Sequence, residues 1–240
     1  MRNRARIGIR AAGVFLAVAA TGIVPAQAAG QQQGAVRLPV RGMVVDGTGE
    51  DLRVRSSNGR YRLRDGTWVD VWNDIRITDR EAAERSRTHL SLTGAGVDTQ
   101  DLFHFDLGHG EQLVTVFVDP RCPHCHRAMD AMSQLTDTYT FRLVPVALLG
   151  KASQKQVEAL ACSPAKREDK LNALVTKAVP ELEEGGCNQA EGKLVGRTRI
   201  TARALGVTGV PFIITPDNRV IQGAPRDLRT ALNGKGEGDG

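Results

Sequence analysis

Leu113-Val114-Thr115-Val116-Phe117-Val118-Asp119-Pro120-Arg121-Cys122-Pro123-His124-Cys125-His126 runs from a continuous apolar stretch into two cysteines separated by two residues. The run is rich in β-branched side chains and has no polar alternation, the pattern of a central strand buried on both faces. A helix is expected to start at the cysteine pair, because Met129, Met132 and Leu135 recur every third residue and supply a core face. Pro123 suits the first turn of that helix, where its missing N–H would have had no partner. Cys122 is then placed at the helix amino end, where free N–H groups and the helix dipole favour an anion. A thiol there is expected to titrate below its free value of about 8.5. His124, when protonated, would add positive charge beside the sulfur. The thiolate is the attacking form and also a good leaving group. Cys122 is therefore the candidate nucleophile. Cys125, one turn further in, is the candidate that resolves the mixed disulfide.

Other readings fit parts of the same segment. The two cysteines could be an inert structural bridge. Cys122-Pro123-His124-Cys125-His126 also matches the C-x-x-C-H pattern of covalent haem attachment, with Met43, His104 or His109 as the far axial ligand. A zinc site would use both cysteines with His124 and His126, although those histidines are closer together than a typical second ligand pair. The redox reading needs no metal and no cofactor beyond the Cys122–Cys125 pair itself. The remaining cysteines, Cys162 and Cys187, are 25 residues apart and lie in a helical stretch. Paired, they would close a loop worth about 3.5 kcal/mol. They are expected to form a structural disulfide, and a second redox pair that relays electrons is the rival.

Outward from this centre, the segment from Glu111 alternates strands and helices. Phe141–Leu149 reads as a second core strand. Helices are expected near 152–161, 165–178 and 189–205. Pro211–Thr215 reads as a third strand, which Pro216-Asp217-Asn218 turns into Val220–Gln222, and Arg226–Leu232 as a closing helix. On the amino-terminal side, roughly 40–77, strands alternate apolar and polar residues around Asn58-Gly59 and Asp65-Gly66. These are pairs that tolerate tight hairpin turns. This predicts a small antiparallel meander, too small to bury much alone. Thr78-Asp79-Arg80-Glu81 fits a capping box opened by the threonine. The following helix, to about Leu90, looks polar nearly all round, as expected of a solvent-bridging linker. The stretch from Gly94 to Gly110 reads as loop.

At the amino end, Arg2, Arg4, Arg6 and Arg10 precede the apolar run Ala11–Val24 and the small residues Pro25–Ala29. This is the layout of a secretory signal peptide cleaved after Ala28. The 240-residue chain carries a formal charge of +5, but removing residues 1–28 leaves 28 basic against 27 acidic residues. The basic excess thus belongs to the export signal, and no nucleic-acid partner is expected. With 41% hydrophobic and 25% charged residues, the chain is not disordered, collagen-like or a polytopic membrane protein. The divisions expected are a signal peptide at 1–28, a β domain at 29–79 with a loose lead-in at 29–34, a linker at 80–108, and a catalytic domain at 109–240.

Taken together, these features resemble the periplasmic disulfide isomerases of the DsbC/DsbG family. The likeness spans the small β domain, the linker helix, the Cys122–Cys125 motif, the helical insertion with Cys162 and Cys187, and Leu205-Gly206-Val207-Thr208-Gly209-Val210-Pro211. It implies an α+β chain with a thioredoxin-like catalytic domain. It implies a cis Val210–Pro211 bond beside the active cysteine, with Val210 offering backbone groups to a substrate. It also implies a homodimer formed by the β domain, exported cysteine-containing proteins as substrates, and a membrane redox partner, DsbD-like for a reductant or DsbB-like for an oxidant. Two positions depart from the isomerase pattern. Pro123-His124 is the dipeptide of the oxidase DsbA, and Val210 stands where isomerases usually have threonine. DsbA-like oxidation is therefore the second functional reading. A chaperone that binds without turnover and a haem electron carrier are further ones.

Overall fold

The apolar run becomes the middle strand of a five-stranded sheet in the computed structural model, which describes residues 42–46, 53–182 and 185–234. Residues 1–41 lie outside that description, and with them the signal peptide and lead-in expected there. The middle strand, β7 (Gln112–Val118), pairs in parallel with β8 (Tyr139–Pro145) and antiparallel with β9 (Phe212–Ile214). The sheet is completed by β10 (Val220–Gln222) beside β9 and by β6 (Phe105–Leu107) beside β8, both antiparallel. Helices α2 (Pro123–Met132), α3 (Lys151–Cys162), α4 (Arg167–Thr176), α5 (Gln189–Leu205) and α6 (Leu228–Leu232) complete this part. Successive β7 side chains go to opposite faces. Val114, Val116 and Val118 join Met129, Met132, Phe141 and Leu160 in one core, while Phe117 joins Phe212, Leu205 and Leu90 in the other. Both faces are thus covered, as the unbroken apolar run requires.

The meander forms a second five-stranded sheet in sequential order: β1 (Met43–Asp46), β2 (Arg53–Ser56), β3 (Tyr61–Arg64), β4 (Thr67–Asp70) and β5 (Ile75–Ile77). Asp65 and Gly66 turn β3 into β4 with φ of 48° and 70°, the doubly left-handed turn that suits a tight hairpin. All described residues belong to one compact unit.

Several local expectations shift. The helix α1 (Arg80–Thr88) is capped by Asp79, whose carboxylate accepts from Ala82 N–H at 2.8 Å, while Thr78 donates to Asp79 instead of capping. Nor is α1 polar all round, since Ala82, Ala83 and Ser86 are buried. Small residues make a close-packing face that a count of large apolar side chains does not register. Ser86 meets a buried cluster in which Arg60 forks onto Asp70 (2.8 and 3.1 Å) and also donates to the His89 carbonyl (2.8 Å). Ser86 donates to Asp70 at 2.7 Å and shares a hydrogen bond with Tyr61 at 3.0 Å. Burial pushes the Tyr61 hydroxyl up to about 12.

The stretch expected as loop before Gly110 contains β6, whose three residues are too few to show a period. Phe103 and Phe105 stack edge-on there at 5.2 Å. Arg142 on β8 is buried and forks onto Asp106 of β6, with both bonds at 2.8 Å. The strand β8 starts at Tyr139 and stops at Pro145, so Leu148 and Leu149 are exposed loop residues instead of strand. The final helix begins at Leu228, capped by Asp227.

Candidate active site at the start of the second helix

Central strand β7 ends at Val118, and a four-residue turn delivers Cys122 to the N-cap of α2. Pro123 occupies the first turn as expected. The Cys125 N–H points at the Cys122 sulfur at 3.4 Å, so a backbone dipole is aimed at the atom that would carry charge. The two sulfurs are unbonded and inequivalent. Cys122 retains 5% exposure, whereas Cys125 has none. Burial pushes the Cys125 thiol up, well above its ordinary range.

The Val210–Pro211 peptide bond is cis and faces the nucleophile candidate. Cys122 Sγ–H donates to the Val210 carbonyl at 3.6 Å. The loop reaches this place because Gly206 ends α5 with φ 86°, a left-handed conformation that glycine adopts without a Cβ penalty. Thus two pairs at least 85 positions apart in the chain, Cys122 with Cys125 and Val210 with Pro211, converge at one end of the sheet. Cys162 and Cys187 form a disulfide with Cα atoms 4.6 Å apart. It ties the end of α3 to the segment before α5.

The two histidines diverge. His124 is exposed, and its Nδ1 accepts from Arg127 Nη2 at 2.6 Å. His126 is buried, and its Nε2 donates to the Pro120 carbonyl at 2.8 Å. Its Nδ1 has no hydrogen-bond partner among the described residues. Facing different ways, these rings do not gather with the cysteines into a metal-ligating group among the described residues. Of the axial ligands considered for haem, His109 precedes β7 while Cys122 follows it, on the order of 20 Å along the strand. His104 is held by the Leu102 carbonyl at 2.7 Å, and Met43 is half-exposed on β1.

One residue at the site escaped the sequence reading. Asp119 is fully buried with three backbone donors: Arg121 N–H on Oδ1 (2.9 Å), and Leu148 and Leu149 N–H on Oδ2 (2.8 and 2.9 Å). It fastens the turn that presents Cys122 to the loop after β8. The only hint in the sequence was a carboxylate at the end of an otherwise apolar strand.

Residues 107–227 match the thioredoxin-like domain family. The chain belongs to that family. Among solved structures, the thioredoxin-like fold here is similar to the thiol-disulfide exchange protein alpha-DsbA2 from Wolbachia pipientis, at 18% identity over 60% of this chain and 94% of that one, with a TM-score of 0.45. A disulfide interchange protein from Neisseria gonorrhoeae matches at 22% identity over 57% and 97%, with a TM-score of 0.47. The catalytic domain of Proteus mirabilis ScsC matches at 14% identity over 60% and 95%, with a TM-score of 0.44. No curated protein gives a significant match.

Proposed function

We propose that this thioredoxin-like protein is an exported thiol–disulfide exchange enzyme that isomerises or reduces non-native disulfides in other exported proteins. The observation that carries the reading is the inequivalence of the pair. One sulfur sits at a helix N-cap beneath a backbone N–H, and its partner is sealed behind it. In the forward step the Cys122 thiolate attacks a substrate disulfide. An S–S bond forms between Cys122 and one substrate sulfur, and the other substrate sulfur leaves as a thiolate and takes up a proton. If a different thiol of the substrate attacks the substrate sulfur of the mixed disulfide, a new substrate disulfide forms, Cys122 leaves as a thiolate and no net electrons are transferred, which is isomerisation; return of the first thiol only re-forms the original bond. If Cys125 gives up its proton and attacks Cys122 instead, the substrate leaves as a thiol and the enzyme is left oxidised. That route passes two electrons to the substrate, and a membrane reductant of DsbD type would restore the pair.

Val210 has a part in both routes. Its carbonyl accepts from the reduced Cys122 thiol. Once Cys122 has lost its hydrogen to form a mixed disulfide, that carbonyl is free to accept an N–H from the substrate strand. Pro123 shapes the first turn, and His124 with Arg127 tunes the charge at the entrance. Cys162–Cys187 is structural. The first sheet provides the contact for a homodimer, and the arrangement is of DsbC/DsbG type.

The oxidase reading is kept because Pro123-His124 and Val210 are DsbA-like. It runs the same steps backwards with a DsbB-like oxidant. Equilibration of the 122/125 pair with glutathione separates the two directions. A potential clearly below about −120 mV supports the isomerase or reductase, and a value at or above it supports the oxidase. Cys122→Ala is expected to lower insulin reduction and the refolding of scrambled disulfides by about a thousandfold or more. Retention of both activities by that variant would overturn the assignment of Cys122 as the nucleophile.

A further inference from the structure

The first sheet has two chemically different faces. Register places Arg55 directly opposite Arg62, Arg62 opposite Val69, and Val69 opposite Arg76. Residues two apart on a strand share a face, so Arg53 joins Arg55 and Arg64 joins Arg62. Asp46, opposite Arg53, is the carboxylate that β1 adds. Among the described strand residues, five arginines therefore share one face with one acid. Arg53, Arg62, Arg64 and Arg76 are exposed, and the Arg55 side chain is 37% exposed. Among the described residues only Arg55 has an acidic partner, Asp46 at 3.2 Å. Asp65 and Asp74 stand in the turns at opposite ends of β4. The strands β2 and β3 pair only at Arg55–Arg62, and beyond that pair a cleft of about 430 Å³ opens, lined by Arg53, Arg55, Arg62 and Arg64 together with Asp46, Val54 and Leu63.

Like charges set directly across a sheet oppose its pairing. Edge protection accounts at most for Arg76 on the edge strand β5, because Arg53, Arg55, Arg62 and Arg64 lie on the inner strands β2 and β3. The face also lacks what other macromolecular partners use. The exposed apolar side chains Met43, Val45 and Leu63 alternate onto the opposite face, as do Tyr61 and Trp68. A durable protein interface centres on apolar or aromatic anchors, and single-stranded nucleic acid stacks on aromatics. What remains is an array of guanidinium groups around that cleft, and guanidinium pairs in bidentate fashion with phosphate. Basic residues near an anionic leaflet each contribute about 1 kcal/mol, or about fivefold in affinity, without any apolar insertion. No helix among the described residues is long and apolar enough to cross a membrane, so attachment of this kind is peripheral.

We propose that the arginine face of the first sheet docks the protein reversibly on the phosphates of an anionic phospholipid surface. The proposal is independent of the redox reading and of which way electrons flow.

The test is co-sedimentation of the full protein, purified after export, with vesicles of phosphatidylcholine alone or mixed with phosphatidylglycerol. Binding to the mixed vesicles that falls with added salt is expected. Arg62→Gln/Arg64→Gln should weaken it roughly twenty-five-fold, with the thiol–disulfide activity and unfolding midpoint unchanged. The separate pair Arg53→Gln/Arg76→Gln should do the same, so one poorly folding variant does not decide the matter. Equal binding to both vesicle types, or binding that both double variants retain, overturns the proposal. So does retention on polyglutamate or duplex DNA without vesicle binding, which would assign the face to another polyanion.

Discussion

The two sheets have the same number of strands but are held together by opposite means. The sheet around β7 is sandwiched by helices, and two apolar layers meet on it. It can therefore support a sulfur at the end of its middle strand with little polar help beyond Asp119. The meander sheet has an arginine face and an apolar face that α1 covers only in part. Its joint with that helix is a buried polar cluster of Arg60, Tyr61, Asp70 and Ser86. The lesson is that rigidity at a reactive group and attachment of an accessory layer can be built from different forces within one chain. Heat, pH and mutation should therefore act on them differently.

The largest expected effect is at the polar joint. Arg60→Ala leaves the Asp70 carboxylate fully buried with no cation, a change that costs about 3–5 kcal/mol. Denaturant unfolding followed at Trp68 and Trp72 should show it, and a loss below about 1 kcal/mol would mean that the joint is held by packing instead. Next is an alkaline effect confined to the same joint. Tyr61 is raised from 10 to about 12 in the folded chain, so the unfolded chain gives up its proton first. Its share of stability is intact below pH 10 and is lost as pH rises to 12, a total of about 3 kcal/mol. Tyr61→Phe should remove that part of the decline, and an identical pH profile in the variant would refute the assignment. Smallest is Asp119→Ala, which takes the acceptor from the backbone N–H groups of three exposed residues, Arg121, Leu148 and Leu149, where water can take its place, and should cost about 1–3 kcal/mol in all. Asn in its place should recover part of that loss, because its carbonyl oxygen still accepts. Full stability in the alanine variant would show that the loop after β8 is held without the carboxylate.

What the sequence made legible was local. A β-branched run that ends in Cys122-Pro123-His124-Cys125 carries its strand and its helix start within fourteen residues, and both appear where expected. The hairpin at Asp65-Gly66 and the core methionines were legible for the same reason. The cis bond before Pro211 came by family resemblance, since nothing in Thr208-Gly209-Val210 alone demands it. What stayed hidden depends on distant partners. Asp119 acquires its meaning from N–H groups 29 and 30 residues away. Arg60 acquires its own from Asp70 and from carbonyls at the end of α1. The cap moved from Thr78 to Asp79 because a carboxylate and a hydroxyl side by side compete for the same N–H groups, and their order alone does not decide the winner.

The two sulfurs of the pair differ in exposure, and that difference is open to direct measurement. Brief treatment of the reduced, native protein with iodoacetamide at neutral pH, followed by peptide mass mapping, reads that difference in one experiment. Carboxamidomethylation of Cys122 with Cys125 unmodified until denaturant is added is the predicted result. Equal labelling of the two, or labelling of Cys125 first, would contradict it.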